Sequence, residues 1–253
     1  MSALPAQVLA AAGAATPAAR LAAADWPRVI AELDERGTAV LPALFEREAC
    51  RAIAASYDDD SKFRSRVVMA SHGFGRGEYR YFAYSPSRGL PFELATLRDT
   101  LYSGLAPLAN RWHERMKLET RFPATHGEFL ARCRAAGQVR PTPLLLRYGP
   151  GDYNCLHRDL YGEHVFPVQM AVLLSAPGAD FTGGEFVVTE QRPRMQSRVD
   201  VVPLAQGDAV LFAVSERPVT GTRGPYRVTH RHGVSRVTRG ARHTLGVILH
   251  DAT

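Results

Sequence analysis

His157 and Asp159 stand two residues apart at the end of a stretch, Leu144 to Asp159, that reads as an apolar strand, a glycine-proline turn and a second strand. On an extended backbone, side chains two apart emerge on one face, so an imidazole and a carboxylate come side by side. Such a pair supplies two ligands of the two-histidine, one-carboxylate triad that holds ferrous iron. His-x-Asp alone is a weak signal, and the third ligand has to come from elsewhere. His232 is the candidate, within His230-Arg231-His232-Gly233-Val234. His230 is its rival, because the two share a face on a regular strand. Cys155 alternates onto the face of His157, where a buried thiol is most simply a packing group. Ten residues beyond His232 stands Arg242, followed by Thr244 on the same strand face. A dicarboxylic co-substrate such as 2-oxoglutarate chelates iron through its 2-oxo and C1-carboxylate groups, and its far carboxylate needs a fixed cation. Arg242 offers that bidentate clamp and Thr244 a hydroxyl donor.

Around these residues the chain from Leu144 onward reads as short strands separated by turns, with no helical interval. The strands are Leu144–Tyr148, Tyr153–His157, Val168–Leu174, Gly184–Thr189, Ser197–Pro203, Ala209–Ala213, Thr229–Val237 and Thr244–His250. Turn signals stand at Pro177-Gly178, Gly183-Gly184 and Gln206-Gly207-Asp208. Regular short strands of this kind predict a sandwich or barrel of jelly-roll type.

Upstream the texture is helical. Asp25 is placed to cap a helix with Pro27 in its first turn, and Gly37 to stop it. A second helix is expected from Glu46 to about Tyr57, a long one over 91–118 that Pro107 should kink or split, and another from His126 to Ala136. The leucines of these patterns are core, not a cofactor box. Between the helices, Arg64, Arg66, Arg76, Arg80 and Arg88 interleave with Phe63, Phe74, Tyr79, Tyr81, Phe82 and Tyr84 around a glycine-rich turn. This predicts a β-hairpin over 63–88, whose composition suits contact with nucleic acid and also an ordinary half-buried hairpin. The acidic run Asp58-Asp59-Asp60 is read as a solvated turn. The expected organisation is an Ala-rich flexible start (1–24) and one domain (25–253). That domain has a helical and hairpin part (25–143) and a strand-rich core (144–253).

The 31 Lys+Arg against 25 Asp+Glu give a net charge of +6. Nearly all the cations are arginine, since Lys62 and Lys117 are the only lysines. Arginine suits bidentate contact with phosphate and carboxylate, so an anionic partner is permitted; a genome-wide preference for Arg and Ala accounts for the same bias. No run approaches a membrane span. The first basic residue, Arg20, follows the apolar start instead of preceding it, which is the wrong order for a signal peptide. Cys50, Cys133 and Cys155 form no CxxC pair, and a cytoplasmic protein is the simplest expectation.

The segment from Leu144 to Asp251 resembles the 2-oxoglutarate- and Fe(II)-dependent dioxygenases, on the prolyl 4-hydroxylase-like side of that superfamily. The resemblance is carried by Tyr148-Gly149-Pro150-Gly151-Asp152-Tyr153 before His157-Arg158-Asp159, and by Gly183-Gly184-Glu185-Phe186. Pro203-Leu204 with Gly207-Asp208-Ala209 and Leu211-Phe212, then His232, Val237, Gly240 and Arg242, complete it. More narrowly, the chain is similar to a prokaryotic branch expected to act oxidatively on alkylated DNA. The resemblance implies an α+β fold whose jelly-roll core is a double-stranded β-helix carrying N-terminal helices. It also implies Fe(II) on His157, Asp159 and His232, and 2-oxoglutarate held by Arg242, Thr244 and Tyr148, with dioxygen as co-substrate and ascorbate in support. The implied reaction oxidises a C–H bond and releases succinate and carbon dioxide. Oxidative demethylation of nucleic-acid bases is the expected use. Prolyl-type hydroxylation of a protein and a non-catalytic, cupin-like metal sensor are the alternatives. His164 and His243 lie near the motifs, but matching makes neither a ligand.

Overall fold

A computed structural model describes residues 15–85, 87, 89–222 and 224–253. The first fourteen residues of the Ala-rich start, and Arg88 of the expected hairpin, lie outside the described residues.

Helices α1 (Pro17–Ala22), α2 (Trp26–Arg36), α3 (Arg47–Ala55), α4 (Leu94–Arg115) and α5 (His126–Ala135) all precede the strand-rich part. Helix α2 begins and ends where its punctuation says. The Asp25 side chain accepts from the Arg28 N–H, and Gly37 closes the helix in the left-handed conformation (φ 75°) that glycine adopts without a Cβ penalty. Thr125 and Glu128 form a reciprocal capping box at the start of α5. Pro107 lies inside α4, which runs on through it as one helix, contrary to the expected split. Leu94, Leu97, Leu101, Leu105 and Leu108 of α4 are buried on one stripe. Each contributes about 1.5–3 kcal/mol by leaving water.

The strands are β1 (Thr38–Leu41), β2 (Phe63–Val68), β3 (Gly75–Arg76), β4 (Glu78–Phe82), β5 (Leu144–Tyr148), β6 (Tyr153–His157), β7 (Val168–Leu173) and β8 (Phe181–Gly183). They continue as β9 (Phe186–Gln191), β10 (Ser197–Val202), β11 (Ala209–Ala213), β12 (Glu216–Gly221), β13 (Gly224–Val234), β14 (Val237–Gly240) and β15 (Arg242–Val247). A seven-stranded sheet has the order β1-β11-β7-β15-β5-β4-β2, and a six-stranded sheet the order β10-β9-β13-β6-β3, with β12 added beside β13. All pairings in both are antiparallel. The expected 63–88 hairpin is present as β2 and β4, but its tip is a 3₁₀ turn, Met69–His72, and the short β3, which crosses to pair with β6.

Strand alternation divides the seven-stranded sheet into two faces. Leu145, Val172, Leu211 and Leu245 pack with the helix leucines in the main core. Their alternating neighbours Leu146, Ala171, Phe212 and Thr244 turn the other way and line a cavity, together with Asn154, His157 and His232 of the six-stranded sheet. The helices therefore back one sheet, and the cavity lies between the two sheets. Among the described residues, no helix is long and apolar enough to cross a membrane.

Candidate metal centre

Two neighbouring strands and one loop build the centre. In the β6–β13 ladder His157 is the direct partner of His232, and Asn154 that of Val234. Three residue steps on β6 therefore oppose two on β13, which is a β-bulge. The extra residue breaks the alternation. Asn154 and His157 both line the cavity, whereas Cys155 is exposed. The expectation that Cys155 is buried on the face of His157 is thus corrected, and the cause is the bulge.

Beyond β6 the chain leaves the sheet and brings Asp159 under both imidazoles. His157 Nε2 lies 3.4 Å from Asp159 Oδ1, and His232 Nε2 lies 3.5 Å from Asp159 Oδ2. One ligand atom from each of the three residues falls within 4.8 Å of the others. The other nitrogen of His157, Nδ1, is 2.8 Å from the Cys155 carbonyl oxygen. Donating there fixes the tautomer that leaves the Nε2 lone pair facing the cluster, as in metal sites with an oriented imidazole. Burial disfavours the Asp159 carboxylate, yet hydrogen bonding to His157 and His232 overrides it and holds that carboxyl well below the usual range. Burial likewise opposes charge on His157, but Asp159 outweighs it and raises this imidazole, while burial lowers His232. The donor set is a carboxylate between two imidazoles, the composition of the iron triad.

His230 is placed elsewhere. It is fully buried further along β13, where its Nε2 accepts from Arg217 Nε at 2.9 Å, and Arg217 is ion-paired with Glu190. It shares a face with His232 but not a neighbourhood, since one strand step of two residues spans about 7 Å.

Arg242 lines the same cavity of about 310 Å³, together with Tyr148 and Thr244. Register makes Arg242 the partner of Tyr148. The guanidinium lies 5.6 Å from the Tyr148 ring centroid and donates from Nη1 to Thr244 Oγ1. Four arginines are among the buried residues. Arg80 is paired with Asp60, Arg98 with Asp251 and Arg217 with Glu190. Arg242, 1% exposed, has no carboxylate partner among the described residues. Burial pulls its pKa down to about 10. A buried, unpaired cation is costly, and an anion entering the cavity relieves that cost. Arg242 Nε and Tyr148 Oη are also buried without hydrogen-bond partners. The Gly183-Gly184 pair has a physical reason here: Gly184 has φ +66°, and a Cβ on it would stand 2.9 Å from Arg242 Cδ.

Among the described hairpin arginines Arg80 is buried, whereas Arg64, Arg66 and Arg76 are exposed. Arg64 donates to the Pro141 carbonyl, Arg66 pairs with Glu78, and Arg80 with Asp60. The expected acidic turn is likewise spent on cations, with Asp58 on Arg147 and Asp59 on Lys62. Arg64, Arg66 and Arg80 thus each have an acceptor within the fold, while Arg64 and Arg66 remain exposed to solvent. What the hairpin gives the cavity is Met69, Phe74, Tyr79 and Tyr81 as walls. Sequence reasoning missed Gln169, buried on β7 and lining the cavity with an unpartnered amide nitrogen. A glutamine in the otherwise apolar run Val168–Leu173 was the available signal.

Residues 77–252 match a protein family, Oxygenase-NA, described as an oxygenase catalysing oxidative methylation of damaged DNA. The chain belongs to this oxygenase family. The enzyme is 46% identical over 156 residues to uncharacterized proteins of two Mycobacterium tuberculosis strains, covering 62% of this chain and 67% of each relative. It is also similar to solved structures at the level of fold. A prolyl 4-hydroxylase of Phytophthora capsici superposes with TM-score 0.55 at 16% identity, over 96% of this chain and 68% of that one. An oxidoreductase of the 2OG-Fe(II) oxygenase family from Burkholderia pseudomallei gives TM-score 0.50 at 17% identity, over 91% and 94%. This oxygenase is thus an oxidoreductase built on the fold of the 2-oxoglutarate/Fe(II) oxygenases.

Proposed function

We propose that the protein is an Fe(II)- and 2-oxoglutarate-dependent dioxygenase that oxidatively demethylates alkylated nucleic-acid bases. The observation that carries this reading is the His157–Asp159–His232 cluster sharing one cavity with a buried arginine that has no carboxylate partner among the described residues. The two facing antiparallel sheets are read as the double-stranded β-helix, or jelly-roll, core (144–253), with 25–143 completing one domain. His157, Asp159 and His232 would hold the iron. Arg242 and Thr244 would hold the distal carboxylate of 2-oxoglutarate, and Tyr148 would donate its unpartnered hydroxyl to the same molecule. Bound there, iron with 2-oxoglutarate and dioxygen supplies oxidation of a C–H bond, with release of succinate and carbon dioxide; ascorbate would support turnover.

The chain's own residues do the positioning. The Cys155 carbonyl orients His157, and Asp159 keeps its negative charge between the two imidazoles. The apolar walls of Phe186 and Phe212 limit water at the cluster. Nucleic acid is preferred as substrate because the family's description names damaged DNA. The unpaired cysteines suit a reducing cytoplasm. The test is succinate formation by purified protein with Fe(II), ascorbate and 2-oxoglutarate, in parallel with methylated oligonucleotides and with prolyl peptides. Formation that depends on the oligonucleotide is expected. Formation that depends only on the peptide moves the enzyme to prolyl-type hydroxylation.

A further inference from the structure

We propose that Gln169 is the residue that reads the oxidised substrate, its side-chain amide pairing with the polar edge of a single extruded base. The inference rests on the nucleic-acid reading above and assigns a residue to it.

Gln169 is 3% exposed, lines the cavity, and its Nε2 has no hydrogen-bond partner. An unmet buried amide donor costs about 1–3 kcal/mol, and a ligand acceptor removes that cost. Strand register locates the amide relative to the rest of the site. Thr244 is opposite Leu173 on β7, four residues from Gln169. At about 3.4 Å per residue, Gln169 lies roughly 13 Å along the sheet from the Arg242–Thr244 end. Gln169 is the cross-strand partner of Phe212, whose ring centroid is 4.5 Å from that of His232. The metal cluster therefore stands over the Gln169 end, and Gln169 is at the far side of the cavity from the anion clamp. A co-substrate anchored on Arg242 reaches the cluster from one side, which leaves Gln169 to the molecule arriving from the other.

A carboxamide presents a donor and an acceptor side by side, the complement of the amino and ring-nitrogen edge of adenine. Tyr81, Phe212 and Tyr161 line the cavity and offer aromatic faces for a planar ring. The volume of about 310 Å³ is at the lower limit of ligand pockets, so a base drawn out of its stack can enter and a duplex cannot.

The test uses full-length protein loaded with Mn(II) in place of iron, so that binding is measured without turnover. Gln169→Leu and Gln169→Met are compared with wild type for two properties, stabilisation by 2-oxoglutarate in thermal unfolding and affinity for oligonucleotides carrying N-methyladenine or N-methylhypoxanthine. Both variants are expected to keep the 2-oxoglutarate-dependent rise in Tm. They are expected to bind the N-methyladenine oligonucleotide about tenfold more weakly, as for one lost hydrogen bond. Wild type should separate the two bases and the variants should not, a change that a merely structural glutamine would leave untouched. Loss of the 2-oxoglutarate response with unchanged oligonucleotide binding would overturn the inference and give Gln169 to the co-substrate. Wild type that binds peptide and neither oligonucleotide overturns the nucleic-acid reading itself. Wild type that binds both bases alike, with variants unchanged, overturns the role of Gln169 alone.

Discussion

His232 is the cross-strand partner of His157, and their ring centroids lie 4.2 Å apart, tilted by 47°. That contact, not sequence proximity, decides which C-terminal histidine joins Asp159. Removing His232 should therefore remove the metal. In Mn(II) titration calorimetry, His232→Ala and Asp159→Ala should lose more than about 100-fold in affinity, beyond the 10–100-fold that loss of an outer partner costs. His230→Gln should keep Mn(II) affinity within a few fold. The opposite pattern would transfer the ligand role to His230.

Arg242→Lys preserves the charge but not the fork, and a lysine cannot make two parallel bonds to one carboxylate. Loss of one charge-assisted bond of about 1.5–3 kcal/mol predicts a KM for 2-oxoglutarate raised about 10- to 150-fold. The KM for the primary substrate should change little. An unchanged 2-oxoglutarate KM would mean that the buried guanidinium serves another purpose.

Much of this architecture was legible because local signals and tertiary demands coincide. Asp25 and Gly37 bound α2 as their chemistry dictates, and the short apolar runs Leu144–Tyr148 and Ala209–Ala213, set off by turn residues, read directly as strands. The spacing from His232 to Arg242 places both at one cavity because β13 and β15 belong to the two sheets that face across it. What was not legible depends on partners distant in sequence. The β6 bulge that exposes Cys155 is created by pairing with β13 and leaves no mark in Tyr153–His157. Strand β12 was missed because Pro218 argues against a strand, yet β12 has a single neighbour in the sheet, and an edge tolerates proline. The acceptors of the β2 and β4 arginines, Asp60, Glu78 and the Pro141 carbonyl, were equally illegible, because they are chosen only when the chain folds.

Arg217 ties three parts of the molecule together. It pairs with Glu190 of β9, donates to His230 of β13, and donates to the Asp34 and Glu35 carbonyls at the end of α2. Arg217→Leu leaves Glu190 charged and buried, and should destabilise the fold by about 3–5 kcal/mol. Adding Glu190→Leu should recover part of that loss, because an apolar pair replaces a broken ionic one. Urea unfolding of the single and double variants measures both effects. A double variant no more stable than the single would show that the helix-capping bonds, not the ion pair, carry the stability.

Acid sensitivity should arise in part from His250. Burial, and then the nearby Arg98, push its imidazole down to about 4, and its Nδ1 accepts from the Phe166 N–H at 3.3 Å. Neutral His250 is thus the folded form, whereas the unfolded chain takes up a proton near the ordinary histidine value of about 6.5. Between these values the unfolded state binds more protons, so stability falls as the pH is lowered from about 6.5 to about 4 and the loss is complete below that. The size is about 3 kcal/mol, from roughly 2.5 pKa units at 1.36 kcal/mol each. In His250→Asn the amide oxygen can accept the same bond and cannot titrate. The pH dependence of the urea midpoint across this window should therefore flatten in the variant, so that the two proteins differ little at pH 7 and most near pH 4. Equal slopes in both would assign the acid sensitivity to other buried groups.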